Sequence, residues 1–376
     1  MKKVYNFAGI MRKFSGILLL AVTVVSSSCL KKVEHNPSDT KETAFMYIMN
    51  SYARSNGTAT FKALADNALL LSNTSILARN KIETEELDAS DVKSICNYWV
   101  SARDNWFRVL CLPVMSEEDE ALFRNIGTWP ADTTGIKETI AKIEGGERLN
   151  LSELPQNQRG FSAAEFLLYQ IRDGKSEQHS PDYSASQLDY LCAVTEEIKV
   201  ASTLLYANWA GSENLADSYA SLLQRYSLTA QTRGYAWELL NPGQDESRFE
   251  TYQDALLKLI DGCIAFVEEF GKNMLGKELA PVSRNSVTDY KSAFGGISNC
   301  YNGKISGQAS LSTYTKAWNA ELDTEIKAQL TDIQSRINKL TEPVADSEED
   351  LTALSSAISE TLVQSLTALR DFIQSL

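Results

Sequence analysis

The stretch Gly160-Phe161-Ser162-Ala163-Ala164-Glu165, followed by the apolar run Phe166-Leu167-Leu168-Tyr169, carries the most distinctive chemical spacing in this chain. Residues three apart share a helix face, so Ser162 and Glu165 are expected to project together. Gly160 permits a close backbone approach, or an unusual dihedral, just before the helix begins. An imidazole at position 162 would make half of a divalent-metal site with Glu165. The serine hydroxyl that stands there stays protonated near neutral pH, carries no charge and is a poor ligand. The same S-x-x-E spacing also reads as a capping box, with Ser162 as N-cap and Glu165 as its partner. No strand leads into the motif, so it is not a nucleophile elbow. There is no H-E-x-x-H, and the two histidines, His35 and His179, lie apart in polar segments, which nearly excludes a His-rich zinc site.

The elements that must position these residues read as helices almost throughout. Leu311, Tyr314, Trp318, Leu322, Ile326, Leu330, Ile333, Ile337 and Leu340 recur at steps of three and four and form one long apolar stripe. After a polar break through Pro343, Ser347 offers an N-cap, and a second stripe follows from Leu351 through Leu354, Ile358, Leu362, Leu366 and Leu369 to Ile373. Two such helices joined by a short loop pack antiparallel, as in a bundle. Residues 91–110, 184–210, 215–240 and 249–274 are long and periodic in the same way, and no alternating strand pattern with hairpin turns persists. The fold class is all-α. The chain divides near Gly211, between two long helices, into the helical segments 41–210 and 211–376.

Residues 1–29 read as a targeting segment: Lys2, Lys3, Arg12 and Lys13, then an apolar run from Ile17 to Val25, then Ser26-Ser27-Ser28-Cys29. Met11 is an alternative start. Three small residues before a cysteine predict a lipoprotein signal with lipid on Cys29, and residues 30–40, polar and containing Pro37, form the tether. Removing the segment takes away four positive charges and no negative ones, moving the formal charge from −13 to −17. Such a chain should repel nucleic acid and anionic headgroups; its acidity either attracts cations or, the stronger reading, only keeps an envelope protein soluble. Beyond Cys29, the cysteines Cys96, Cys111, Cys192, Cys263 and Cys300 are odd in number and lack C-x-x-C spacing; one disulfide is possible, but there is no disulfide framework.

Four segments, in order, resemble the imelysin family. Trp99 to Trp106 is similar to its W-x-x-x-R helix, Trp129-Pro130 with a helix opening at Gly135 to its W-P loop, and residues 160–165 to its G-x-H-x-x-E signature. Ser286-Val287-Thr288-Asp289, running on to Gly296-Ile297-Ser298-Asn299-Cys300-Tyr301-Asn302-Gly303, is similar to its S-x-x-D and G-I-x-N-x-Y-x-G run. Ser162 stands where the family places histidine. The resemblance implies a two-domain helical protein of the cell envelope, two helical-bundle halves each built like a four-helix bundle, with the signature motif where the halves meet. It also implies a family containing proteins linked to iron uptake and one insulin-cleaving protease, with lipoprotein members in Bacteroides-type bacteria. A Glu165 buried in such a cleft needs a cation or several donors, and Arg103 suits a carboxylate. Asp289, Asn299 and Tyr301 are expected to add oxygen ligands or hydrogen bonds from the second half.

The ligand-binding set is therefore Gly160, Ser162, Glu165, Arg103, Asp289, Asn299 and Tyr301, with Glu165 and Asp289 as the metal-facing carboxylates. Oxygen donors suit a divalent or ferric cation better than zinc. The expected function is a non-enzymatic, lipid-anchored protein of the envelope, on the outer membrane, that binds a small ligand or metal ion. An imelysin-type metallopeptidase and a structural or docking lipoprotein are the alternatives. A metallopeptidase would need at least three protein ligands and usually a separate base, which this sequence does not supply.

Overall fold

The computed structural model describes residues 40–113, 116–169 and 181–376. Residues 1–29, where a targeting segment is expected, and with them Cys29, as well as His35 and His179, lie outside the described residues. Among those described, the secondary structure is helical, without strands. The helices are α1 (Lys41–Ser51), α2 (Ala59–Ile82), α3 (Ala89–Val109), α4 (Glu117–Gly127), α5 (Thr133–Glu144), α6 (Gly160–Tyr169) and α7 (Ala185–Ala210). They continue as α8 (Asp217–Arg225), α9 (Tyr235–Leu240), α10 (Tyr252–Glu269), α11 (Ser286–Asn302), α12 (Leu311–Trp318), α13 (Ala320–Lys339), α14 (Glu348–Ser356) and α15 (Val363–Ser375). None of them is long and apolar enough to cross a membrane.

Local chemistry fixes the ends of the long helices. Asp88 accepts from the backbone of Ser90 and Asp91 while Asp91 reaches back to the Asp88 amide, a capping box that starts α3. Ser184 with Gln187 does the same for α7, and Thr251 with Asp254 for α10. Ser347 precedes α14 but makes no side-chain cap, contrary to the expectation from its neighbours.

Two predicted helices are broken. The 215–240 segment divides into α8 and α9 because Ser227 takes a left-handed φ of 55°, after which Leu228 donates back to the Leu223 carbonyl at 3.0 Å. The chain then returns across the end of α7, where Ser212 donates to the Gln231 carbonyl at 2.8 Å. The stripe from Leu311 to Leu340 is interrupted at Asn319, whose side chain accepts from the Leu322 amide at 3.1 Å and so begins a new helix.

α2 packs between α3 and α7, and α6 lies on α7 and α3. α11 crosses α3, while α1 joins the later helices by packing on α10. The apolar core runs continuously from Ala44 on α1 to Ile373 on α15, with Trp99, Trp209, Tyr190, Tyr290 and Phe161 among its largest fully buried side chains.

Candidate functional site

α6 is the helix that carries the motif, and it is buried from Gly160 through Leu168. Its start depends on Gly160, which adopts φ +69°; a Cβ there would lie 2.4 Å from the Ile126 carbonyl oxygen at the end of α4. Because the helix begins at Gly160, Ser162 falls inside the first turn and is not its N-cap. The capping-box reading is therefore corrected: the Ser162 hydroxyl is buried, with no hydrogen-bond partner among the described residues.

Glu165, one turn further on, is 2% exposed. Its Oε1 accepts from the Val282 amide at 3.0 Å, the Ser283 amide at 2.8 Å and the Ser283 hydroxyl at 2.8 Å. Successive amides converging on one oxygen form a small anion-binding concavity, which meets the carboxylate from within the chain itself. Burial raises the Glu165 carboxyl above its ordinary value, opposed by the charge of Arg103 and by the bonds from Ser283 and Val282.

Arg103 does not pair with Glu165 as expected. Its Nε lies 3.1 and 3.0 Å from the two oxygens of Asp289, and its Nη2 donates to the Leu279 carbonyl at 2.8 Å. Asp289 lies in the first turn of α11, which crosses α3 and so sets this carboxylate against the guanidinium. The guanidinium carbon also sits 5.3 Å from the Trp99 ring and 5.1 Å from the Phe107 ring, where cation–π attraction and packing hold its plane. Burial pushes the Asp289 carboxyl up to about 7 even against Arg103.

Asn299 and Tyr301 do not join this cluster. They lie ten and twelve residues beyond Asp289 on the same helix, about 15 Å or more along its axis. The Asn299 carbonyl accepts from Asn56 Nδ2 at 2.8 Å, and the Tyr301 hydroxyl donates to Asp323 Oδ1 at 2.8 Å.

What the motif segments share is the stretch 278–283, which leads into α11. Trp129 Nε1 donates to the Glu278 carbonyl at 2.9 Å, Arg103 holds Leu279, and Glu165 holds Val282 and Ser283. Ser286 returns to the same stretch, accepting from the Ala280 amide at 3.0 Å. Trp99 Nε1 ties α3 to the motif helix through the Phe161 carbonyl at 3.0 Å. Pro281, set between Ala280 and Val282 and followed by the polar run Ser283-Arg284-Asn285, was the signal that could have marked this stretch.

As a donor set, the cluster does not fit a resident catalytic metal. Ser162 is neutral, one oxygen of Glu165 already accepts three donors, and both oxygens of Asp289 face Arg103. Among the described residues, no three His, Cys, Asp or Glu side chains are grouped so as to hold an ion.

Comparison with known proteins agrees with this architecture. Iron-regulated protein A of Synechococcus elongatus is 22% identical over 227 residues, covering 58% of this chain and 54% of that protein, so the match spans about half of its length. A crystal structure described as an iron-regulated protein A precursor from Parabacteroides distasonis superposes with a TM-score of 0.72 at 20% identity, covering 89% of this chain and 96% of that one. An imelysin-like protein from Psychrobacter arcticum superposes with a TM-score of 0.60 at 14% identity, covering 90% and 95%. At such identities the structural likeness establishes the fold. The imelysin family model matches residues 59–376, and the chain belongs to the imelysin family.

Proposed function

We propose that this protein is a non-enzymatic, ligand-binding imelysin of the cell envelope, anchored by lipid on Cys29 and linked to iron uptake. Its binding cleft lies between the helical segments 41–210 and 211–376. The observation that carries the non-enzymatic reading is the state of Glu165. Its Oε1 is occupied by two amides and a hydroxyl, beside a serine in place of the motif imidazole. A metallopeptidase needs an open metal position and a group to activate water, and neither is provided here.

The iron link rests on relatives named for iron regulation in Synechococcus and Parabacteroides. Two buried carboxylates, Glu165 and Asp289, stand against one guanidinium, and the Ser162 hydroxyl beside them lacks a partner. That excess of carboxylate favours a cationic cargo, divalent or ferric, over an anion, and the cargo must displace the donors that now occupy Glu165 and Asp289. Calorimetric titration of the purified chain with ferric citrate, and separately with zinc, tests the reading. Binding by the wild type, tightened in Ser162→His, is expected. Chelator-sensitive peptide cleavage that disappears in Glu165→Ala would overturn the non-enzymatic reading.

A second reading, in which the cluster is purely a strut, is favoured by the three donors on Glu165; absence of cation binding in both forms supports it. For the anchor, Cys29→Ser should move the protein from the membrane to the soluble fraction.

A further inference from the structure

Cys111 and Cys300 are separated by 189 positions in sequence, yet their sulfurs lie 3.4 Å apart. Cys111 stands just past the end of α3, its thiol donating to the Arg108 carbonyl at 3.2 Å, and Cys300 occupies the last turn of α11. Gly296, one turn before Cys300, makes the approach possible. A Cβ there would lie 2.7 Å from the Arg108 carbonyl oxygen and 3.0 Å from Cys111 Sγ. Cys263 on α10 and the Tyr52 hydroxyl, 3.5 Å from Cys300 Sγ, complete the surroundings, and all four residues are buried. None of them takes part in the cluster around Glu165.

We propose that Cys111 and Cys300 form an oxidisable pair, a covalent modification site that closes to a disulfide by exchange with a disulfide-bearing oxidant. Their separation must shrink from 3.4 Å to the ~2.0 Å of a bond, a distance within reach of side-chain rotation. Cys111 and Cys300 both line a small recess with Asn56, Thr60, Arg108, Gly296 and Asn299, whereas Cys263 is not among its lining residues. Contacts with Cys111, Cys263 and Tyr52 lower the Cys300 thiol from its ordinary value, against the effect of burial. The other two thiols are raised, by their contact with Cys300 and by burial. Cys300, whose sulfur lies against both Cys111 and Tyr52, is the attacking group.

In the first step the Cys300 thiolate attacks one sulfur of the oxidant's disulfide. A mixed disulfide forms, and the expelled thiolate takes up the proton that Cys300 released. Cys111 then loses its proton and attacks the Cys300 sulfur, expelling the second thiolate, which that proton neutralises. Two protein thiols are oxidised and one small disulfide is reduced to two thiols. The product ties α3 to α11, the helices that carry Arg103 and Asp289, and so fixes the crossing that brings that pair together.

The test is incubation of the reduced, purified chain with oxidised glutathione, followed by alkylation under denaturing conditions and non-reducing peptide mapping. A Cys111–Cys300 cross-link as the major product is expected, with Cys96, Cys192 and Cys263 alkylated. The unfolding midpoint should fall when dithiothreitol is added. In Cys111→Ser, the glutathione adduct should be trapped on Cys300, and in Cys263→Ala the cross-link should persist. Full alkylation of Cys111 and Cys300 after oxidation, or a Cys263–Cys300 link in place of the expected one, would overturn the assignment.

Discussion

Arg103 and Asp289 face each other across the α3–α11 crossing, with Nε 3.1 and 3.0 Å from the two carboxylate oxygens and side chains only 3% and 1% exposed. Neither group can be rehydrated if its partner is removed. Breaking such a pair costs ~3–5 kcal/mol, against ~0–1 kcal/mol for an exposed one. Arg103→Ala and Asp289→Ala are each expected to lose about that larger amount at pH 8, above the value of about 7 to which the Asp289 carboxyl is raised. The double mutant should lose clearly less than the sum. Urea unfolding of the four proteins measures this, and additive losses would show that the two residues act independently.

Glu165 holds the amides of Val282 and Ser283 and the Ser283 hydroxyl. A hydrogen bond to a charged acceptor contributes ~1.5–3 kcal/mol. Glu165→Ala should therefore speed hydrogen exchange at Val282 and Ser283 by at least about tenfold, since ~1.4 kcal/mol is one decade. The amides of α7 should be far less affected. Unchanged exchange at 282 and 283 would mean that the stretch is held by other contacts.

Burial pushes both Asp289 and Glu197 up to about 7, Glu197 with only Arg159 at 3.4 Å to oppose it. In the unfolded chain carboxylates titrate near ~4. Between these values the folded protein holds protons that the unfolded chain has released, so stability falls as pH rises through the window. Asp88 and Asp132, whose carboxyls are lowered by backbone hydrogen bonds, act oppositely, but only below the ordinary carboxylate range. The thermal midpoint should be higher near pH 5 than near pH 7.5, and Glu197→Gln and Asp289→Asn should each flatten the slope. Variants with the wild-type slope would remove these two groups as its cause.

The Ser162 hydroxyl is buried without a partner. Ser162→Ala is accordingly expected to leave stability unchanged or to raise it by up to ~1–2 kcal/mol, measured by calorimetric unfolding. A clear loss would reveal a hydrogen bond to that hydroxyl, such as one through an ordered water.

Much of this architecture could be read in the residues. The ends of α3 and α7 follow from Asp88 with Asp91 and from Ser184 with Gln187. The break at Asn319 was hidden because the apolar step from Trp318 to Leu322 continues across it, and periodicity is blind to one residue leaving the helix. At the site, family resemblance placed Arg103, Glu165 and Asp289 in one neighbourhood. Which carboxylate receives the guanidinium depends on a helix crossing and a loop position that no local pattern encodes. The separation of Asn299 and Tyr301 from Asp289 was legible in principle, since the rise of one helix carries them away.

Arg103, Trp129 and Glu165 all reach partners between 117 and 186 positions further along the chain. That ordering has a consequence for synthesis. When α3 and α6 first leave the ribosome, the segment that satisfies them has not yet been translated, and contacts of this range close late. Until residues 278–289 arrive, a guanidinium and a carboxylate destined for the interior have no matching groups, so the early helices cannot settle around them without a large electrostatic penalty. A chain terminated before residue 278 would keep both charges without these partners, so the N-terminal helices depend for their interior on residues made more than a hundred positions later.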